Sequence, residues 1–397
     1  MKKLKKILSL LLAVAIVAGV STTSLLISGE DTAAPQNLLK TNGISPISGT
    51  FIQPWLYMSY TDEDWDREMQ YYKELGIEYI VMGDCAYQPE GGKWGMSYPS
   101  KLEGVKVQQD TVTILMDKAK AHGMKVYLGM GNPHEWWKLN LSIDTDGEKL
   151  MEMARMATSI AQELYDIYKK DYPDTFYGFY SVYEIWNHES WNDEKSRGVY
   201  ADNLSKAFNL IIDKINSLDP SMPLLFSPFA TPGIATLENT QAFYTDFFNK
   251  TNFRKIDAMA PMDNIGGGGT KIEELEPWTQ AYRAAVDASG GKLQFWQNCE
   301  SFVQPTGERL NSDNGVNYWG SAPVERFVRQ LEIASKYADR IFNFAYAHYY
   351  SPVNNVGGYQ EAFYNYLKTG QKDTTAPLPP DRIKTTIVTA DDDEPGL

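Results

Sequence analysis

GTFIQPWLYMSYTDEDWDREMQYYKELGIEYIVMGDC, residues 49–85, decides the fold. The stretch opens on an apolar run, residues 49–58, rich in β-branched and aromatic side chains, which reads as a strand. Thr61 follows, with Asp64 three positions on, the spacing at which two side chains satisfy orphan N–H groups of a first helical turn. Trp65, Met69, Tyr72 and Leu75 then recur at helical spacing, and Gly76 supplies the stop. IEYIVMGDC, residues 77–85, is a second strand, so one strand–helix–strand unit is complete here.

The same unit repeats down the chain. Helix DTVTILMDKAKAHG (110–123) leads to strand MKVYLGMGN (124–132), and a long helix at 145–174 leads to strand FYGFYSVYEIWN (176–187). Helices at 200–220, 236–251 and 272–291 precede strands PLLFSPFA (223–230), KIDAMAPMDN (255–264) and KLQFWQNCESF (292–302). Helix APVERFVRQLEIASKYAD (322–339), strand RIFNFAYAHYYSP (340–352) and a closing helix at 359–370 complete the series. Strict β/α alternation forces a parallel sheet, and eight units predict a single-domain (β/α)8 barrel over residues 46–371. No G-x-G-x-x-G opens the first helix, which argues against a dinucleotide fold. The run Gly266–Gly269 lacks a following Lys-Ser/Thr, so it reads as a flexible loop over a cleft rather than a phosphate loop.

The flanks differ from the barrel. Residues 1–26 carry Lys2, Lys3, Lys5 and Lys6 ahead of an apolar run from Ile7 to Val20, the pattern of a secretory signal, with cleavage expected near Ala18 to Ser21. That run is shorter than the roughly 20 residues of a membrane span. Residues 27–45 are a polar leader, and 372–397, with Pro377, Pro379 and Pro380 and an acidic end, read as a linker or the stub of a following module. Secretion as a monomer, with no membrane association after export, is the expectation; an uncleaved N-terminal anchor is the alternative. A formal net charge of −14, with basic clustering only in the first residues, excludes nucleic acid and anionic membranes as expected partners. Cys85 and Cys299, in strand-like runs, read as two unpaired buried thiols, and four scattered histidines give no zinc pattern. Neither metal nor cofactor is expected.

In such a barrel, chemistry sits at the C-terminal strand ends. The candidates there are Gln53, Trp55 and Tyr57 (strand 1), Asp84 (strand 2), Asn132 (strand 3), Tyr183, Glu184, Trp186 and Asn187 (strand 4), Asp263 and Asn264 (strand 6), Trp296, Asn298 and Glu300 (strand 7), and His348 (strand 8). Glu184 and Glu300 stand out, each ending a long apolar strand beside aromatic residues. Two carboxyls from strands 4 and 7 meeting over one mouth are what glycosidic-bond cleavage requires: one protonates the leaving oxygen, the other attacks the anomeric carbon or activates water. Tyr183, Trp186 and Trp296 are expected to desolvate Glu184 and keep it protonated. Trp55, Trp186, Trp319 and the HEWW loop (134–137), with Trp136 and Trp137, are the expected sugar-stacking residues. Asp263 is read either as a third site carboxylate or as a loop cap, and His348 as a neutral hydrogen-bonding residue. The competing expectations are a carbohydrate-binding barrel without catalysis and a hydrolase pairing Glu184 with Asp263 and a metal.

ISGTFIQPW (47–55), YKELGIEYIVMGD (72–84), GFYSVYEIWN (178–187) and IDAMAPMDNIGGG (256–268) resemble the bacterial barrels grouped as domain of unknown function 4434, within the larger clan of retaining (β/α)8 glycoside hydrolases. The resemblance spans about residues 45–370. It implies a secreted hydrolase of poly- or oligosaccharides, with Glu184 matching the clan's acid/base and Glu300 its nucleophile. Two positions depart from the clan. Tyr183 stands where many members carry the Asn that contacts the sugar 2-hydroxyl, and Met262 precedes Asp263 where relatives often have Gln.

Overall fold

The computed structural model describes residues 47–83, 85–143, 145, 147–303, 317–318, 320–354, 358–370 and 384–385. The signal segment, the polar leader, Asp84 and Trp319 lie outside the described residues, as does the C-terminal stretch apart from residues 384–385, which pair antiparallel with 317–318.

Eight parallel strands form a closed barrel: β1 (Ile47–Phe51), β2 (Tyr79–Met82), β3 (Lys125–Gly129), β4 (Phe176–Ser181), β5 (Leu224–Phe226), β6 (Ala258–Met259), β7 (Gln294–Glu300) and β8 (Arg340–Phe344). Each strand neighbours the next in sequence, and β8 closes on β1. The helices between them are α1 (Asp62–Leu75), α2 (Thr111–His122), α3 (Gly147–Tyr168), α4 (Glu194–Leu218), α5 (Leu237–Lys250), α6 (Ile272–Ala288), α7 (Val324–Ala334) and α8 (Tyr359–Thr369). The Thr61–Asp64 capping box forms in both directions, and Gly76 ends α1 in the left-handed conformation that only a residue without Cβ adopts cheaply.

Strand parity sets the interior. On β7, Trp296, Asn298 and Glu300 share one face. The Trp296 ring lies 6.3 Å from both Tyr79 on β2 and Tyr127 on β3, strands across the barrel, so this face points inward. Trp296, Phe342, Tyr79 and Tyr127 form the N-terminal plug. Gly49 leaves room for it, since a Cβ there would sit 2.5 Å from the Phe342 ring. At the opposite end Phe51, Tyr180 and Phe344 make the upper layer, with Phe51 touching both others at 5.4 and 5.7 Å.

The strands end earlier than the apolar runs suggested. β1 stops at Phe51 and Pro54 starts a helical turn, Pro54–Tyr57, because its fixed φ suits a first helical position. β4 stops at Ser181 and β8 at Phe344, with a turn Tyr346–Tyr349 following. The loops after β2 and β3 also build a four-stranded sheet from Ala86–Gln88, Gly95–Met96, Lys106–Val107 and Asn132–Pro133, which the alternation pattern had hidden.

Candidate active site

Glu184 leaves β4 on a braced segment. The Ile185 N–H donates to the Tyr183 carbonyl at 2.9 Å, and the Phe229 N–H donates to the Ile185 carbonyl at 2.9 Å. From the β3 side, the Trp136 indole N–H donates to the Glu184 carbonyl at 3.2 Å and Trp136 stacks on Tyr183 at 4.9 Å. Asn140 exchanges two 3.4 Å hydrogen bonds with the Trp186 backbone, and Asn187 does the same with Thr231 at 3.1 and 2.9 Å. The backbone carrying Glu184 is thereby fixed to the loops after β3 and β5, while its side chain is half-buried.

Glu300 ends β7, buried, in register with Phe344 of β8. Its carboxylate Oε2 accepts the Gly267 N–H at 2.9 Å. The glycine run therefore folds down onto this carboxyl instead of standing away as a flexible cover. Gly266 is an obligate glycine for spatial reasons: a Cβ there would lie 2.9 Å from Glu300 Oε2 and 2.7 Å from the Phe302 carbonyl. Asn264 turns the chain at φ 54°, a left-handed angle that Asn tolerates, and donates to the Ala230 carbonyl at 3.1 Å.

Asp263 lies behind Glu300. Its Oδ1 accepts the N–H groups of Ile265 at 3.2 Å and of Glu300 at 3.3 Å, and its Oδ2 accepts the Gln330 amide at 2.5 Å. Gln330 and Arg326, one turn apart on α7, each donate to the Glu300 carbonyl at 3.1 Å, and Arg326 reaches the Phe302 carbonyl at 2.5 Å. Burial first, and then the nearby Asp263 charge, push the Glu300 carboxyl upward from its ordinary range; the Gly267 N–H and Arg326 oppose this. Asp263 is also raised by burial, but Gln330, the Ile265 N–H, Arg326 and the Glu300 N–H restrain the rise. The donors gathered on Asp263 favour its charged form over that of Glu300.

The other expected residues divide by place. His348 accepts the Gln53 N–H at 3.3 Å and meets the half-buried Trp55 edge-on at 5.0 Å. Burial lowers its imidazole to about 3, which favours the neutral ring. Tyr57 is turned away from the mouth, with its hydroxyl donating to the Thr111 carbonyl at 3.1 Å. Asn132 belongs to the small sheet, opposite Tyr87. Trp136 and Trp186 are 1% and 2% exposed and lie in packing, Trp186 parallel to Phe229 at 6.0 Å. Trp137 is half-buried, which leaves part of its ring accessible. Asn298 is interior, donating to Ser227 Oγ at 3.1 Å. Trp296 belongs to the N-terminal plug, four residues below Glu300 or about 13 Å along an extended strand, so it cannot desolvate either carboxyl. Cys85 and Cys299 are buried and no disulfide joins them. Among the described residues no cluster of three His, Cys, Asp or Glu side chains could hold a metal ion, and no helix is long and apolar enough to cross a membrane.

Sequence reading missed Arg326 and Gln330. Their signal is present in VERFVRQLEIA: two polar residues at i and i+4 among the buried Val324, Phe327, Val328 and Leu331.

The sequence profile of the family described as Domain of unknown function (DUF4434) matches residues 47–356. The chain belongs to that family. The DUF4434 match covers β1 to β8 and therefore both glutamates and Asp263. A comparison with curated proteins returned no match. Among solved structures, the barrel is similar to that of a protein from Bacteroides thetaiotaomicron described as "a putative alpha-L-fucosidase", with a TM-score of 0.64 and 19% identity over 86% of this chain and 99% of that one. An intracellular xylanase from Thermoanaerobacterium saccharolyticum (TM-score 0.44, 14% identity, 78% and 87% covered) is also similar, as is endo-glycoceramidase II from Rhodococcus sp. (0.44, 14%, 77% and 74%). At 19% identity the likeness to the first of these shows the closed barrel fold alone, and function rests on the site itself.

Proposed function

We propose that the protein is a secreted glycoside hydrolase of poly- or oligosaccharides that works by a retaining two-carboxylate mechanism. The observation that carries this reading is a carboxyl at the C-terminal end of β7, Glu300, gripped by a backbone N–H and backed by Asp263, with a second carboxyl, Glu184, on a braced segment following β4. In the first step a Glu300 oxygen bonds to the anomeric carbon, the glycosidic C–O bond breaks, and Glu184 gives its proton to the leaving oxygen. In the second, water attacks the anomeric carbon, its proton passes to Glu184, and the bond to Glu300 breaks. The Gly267 N–H supports this role because it stabilises the carboxylate that attacks first and departs last.

Attack requires the Glu300 anion. Because burial and Asp263 hold its proton, kcat/KM rises with pH through the ionisation of the Glu300–Asp263 pair, above the ordinary glutamate range. Among the described residues, the partly accessible Trp55 and Trp137 remain as stacking residues for sugar faces. The test is a panel of aryl glycosides and polysaccharides assayed for reducing-sugar release by wild type, Glu184→Gln and Glu300→Gln. Release by wild type, reduced by several orders of magnitude in Glu300→Gln, is expected. Binding of a glycan without any release favours a carbohydrate-binding barrel instead.

A further inference from the structure

Asp263 belongs to no step written above, yet its side chain joins several parts of the site. It accepts the Glu300 N–H, the Ile265 N–H and the Gln330 amide, and the Cys299 thiol donates to it. The Ile265 contact starts the turn whose Gly267 N–H reaches the Glu300 carboxylate three residues after Asn264. One side chain thus ties together the end of β7 and the loop that grips its carboxyl. Helix α7 secures the same point, since Gln330 bridges Asp263 Oδ2 and the Glu300 carbonyl.

We propose that Asp263 is a positioning residue that acts through Glu300: it anchors the Glu300 backbone and the glycine turn, and as a fixed buried anion it makes the two carboxyls hold one proton between them in the free enzyme. Asp263 and Glu300 are both buried and the charge of Asp263 acts on Glu300, so ionising one makes ionising the other harder and the second ionisation is delayed. The proton stays on the carboxyl with fewer donors, which is Glu300. The groups that act on Glu300 include Asp263, the Gly266 and Gly267 N–H groups, the Arg326 guanidinium of α7 and the Tyr349 hydroxyl from the turn after β8, with the Cys299 thiol against Asp263 and, in the mechanism above, Glu184 across the scissile bond. Arg326 is the only cation in this group, and its Nη2 donates to the Glu300 and Phe302 carbonyls. The catalytic consequence rests on Glu300 being the nucleophile; the shared proton does not.

The experiment titrates Glu300 directly, by 13C NMR of side-chain-carboxyl-labelled protein, with the signal assigned through Glu300→Gln. In wild type, Glu300 is expected to titrate late and in two steps. In Asp263→Asn it titrates in one step, at least one pH unit lower, and the acid limb of kcat/KM moves down with it. Should Asp263→Asn fail to fold, Gln330→Met serves: with a donor removed, Asp263 takes the proton, and Glu300 again titrates earlier. An unchanged Glu300 titration in the folded variant overturns the inference and leaves the hydrolase reading standing. No glycoside cleavage by wild type, with the titration shifting as expected, overturns the hydrolase reading and leaves the inference standing.

Discussion

Gly266→Ala probes the site at its tightest point. The added Cβ would sit 2.9 Å from the Glu300 carboxylate and 2.7 Å from the Phe302 carbonyl, about 0.5–0.7 Å short of the 3.4 Å at which ordinary contact begins. Phe302 begins a two-residue strand paired with Gly320–Ser321 and its carbonyl also accepts Arg326, so the backbone resists moving. The added methyl also meets Glu300 Cβ at 2.9 Å, which the strand holds, so the Glu300 carboxyl, as the far end of the side chain, is the part that yields first. Overpacking of this kind destabilises by about 1–3 kcal/mol. A nucleophile displaced by about half an ångström loses in-line alignment, and a 1 Å misplacement can cost about 100-fold in rate. Gly266→Ala should therefore lower kcat by roughly 10- to 100-fold, while Tm falls by about 2–4 °C per kcal/mol lost. The assay is steady-state hydrolysis of the best aryl glycoside beside thermal unfolding. Gly198→Ala, in α4 with nothing within 4 Å of the added methyl, is the control and should leave kcat unchanged and Tm equal or higher. A Gly266→Ala enzyme with kcat within twofold of wild type would refute the account of how Glu300 is held.

Other outcomes follow from the same geometry. Trp136→Ala should lose about 3–5 kcal/mol of stability, because the ring is packed on Tyr183, whereas Trp137→Ala should raise KM with little change in Tm. Glu68 of α1 is wholly buried, with Ser351 donating to Oε2, and burial raises its carboxyl to about 8. A carboxyl raised in the folded state keeps a proton that the unfolded chain gives up, so its destabilisation grows as pH rises from the unfolded value through about 8. Glu68→Gln should accordingly raise unfolding stability more at pH 8.5 than at pH 5.5, by a difference on the order of a few kcal/mol, read by calorimetry at both pH values. Equal gains at both would contradict the burial argument. Gly49→Ala should destabilise by about 1–3 kcal/mol through the Phe342 clash in the N-terminal plug, without moving the pH profile of kcat/KM.

The barrel was legible because its signals are periodic. Each amphipathic helix repeats every three or four residues, and each strand is a dense apolar run, so eight units could be counted and closure inferred from number. Glu184 and Glu300 were legible as the charged ends of such runs. What periodicity does not encode is where a run stops being a strand: β4 ends three residues before Glu184, and Pro54 breaks the first run, because loop hydrogen bonds and packing set those limits. Tryptophans misled for a related reason. Trp136 and Trp186 are aromatic residues near the site, but each stacks on a loop neighbour that the sequence does not place. Trp296 was decidable: four positions along a strand is two pleats, on the same face as Glu300 but deeper in the barrel. The glycine run read as a mobile cover because composition alone cannot distinguish freedom from close approach, and here the lack of a Cβ admits Glu300.

The central claim is that Glu300 forms a bond to the sugar. Incubation with an activated 2-deoxy-2-fluoro glycoside of the preferred substrate slows breakdown of the intermediate, and peptide mass spectrometry locates the adduct. The account predicts one glycosyl group per chain, on the peptide containing Glu300, and none in Glu300→Gln. An adduct on another carboxylate, or full inactivation without any adduct on that peptide, would contradict it.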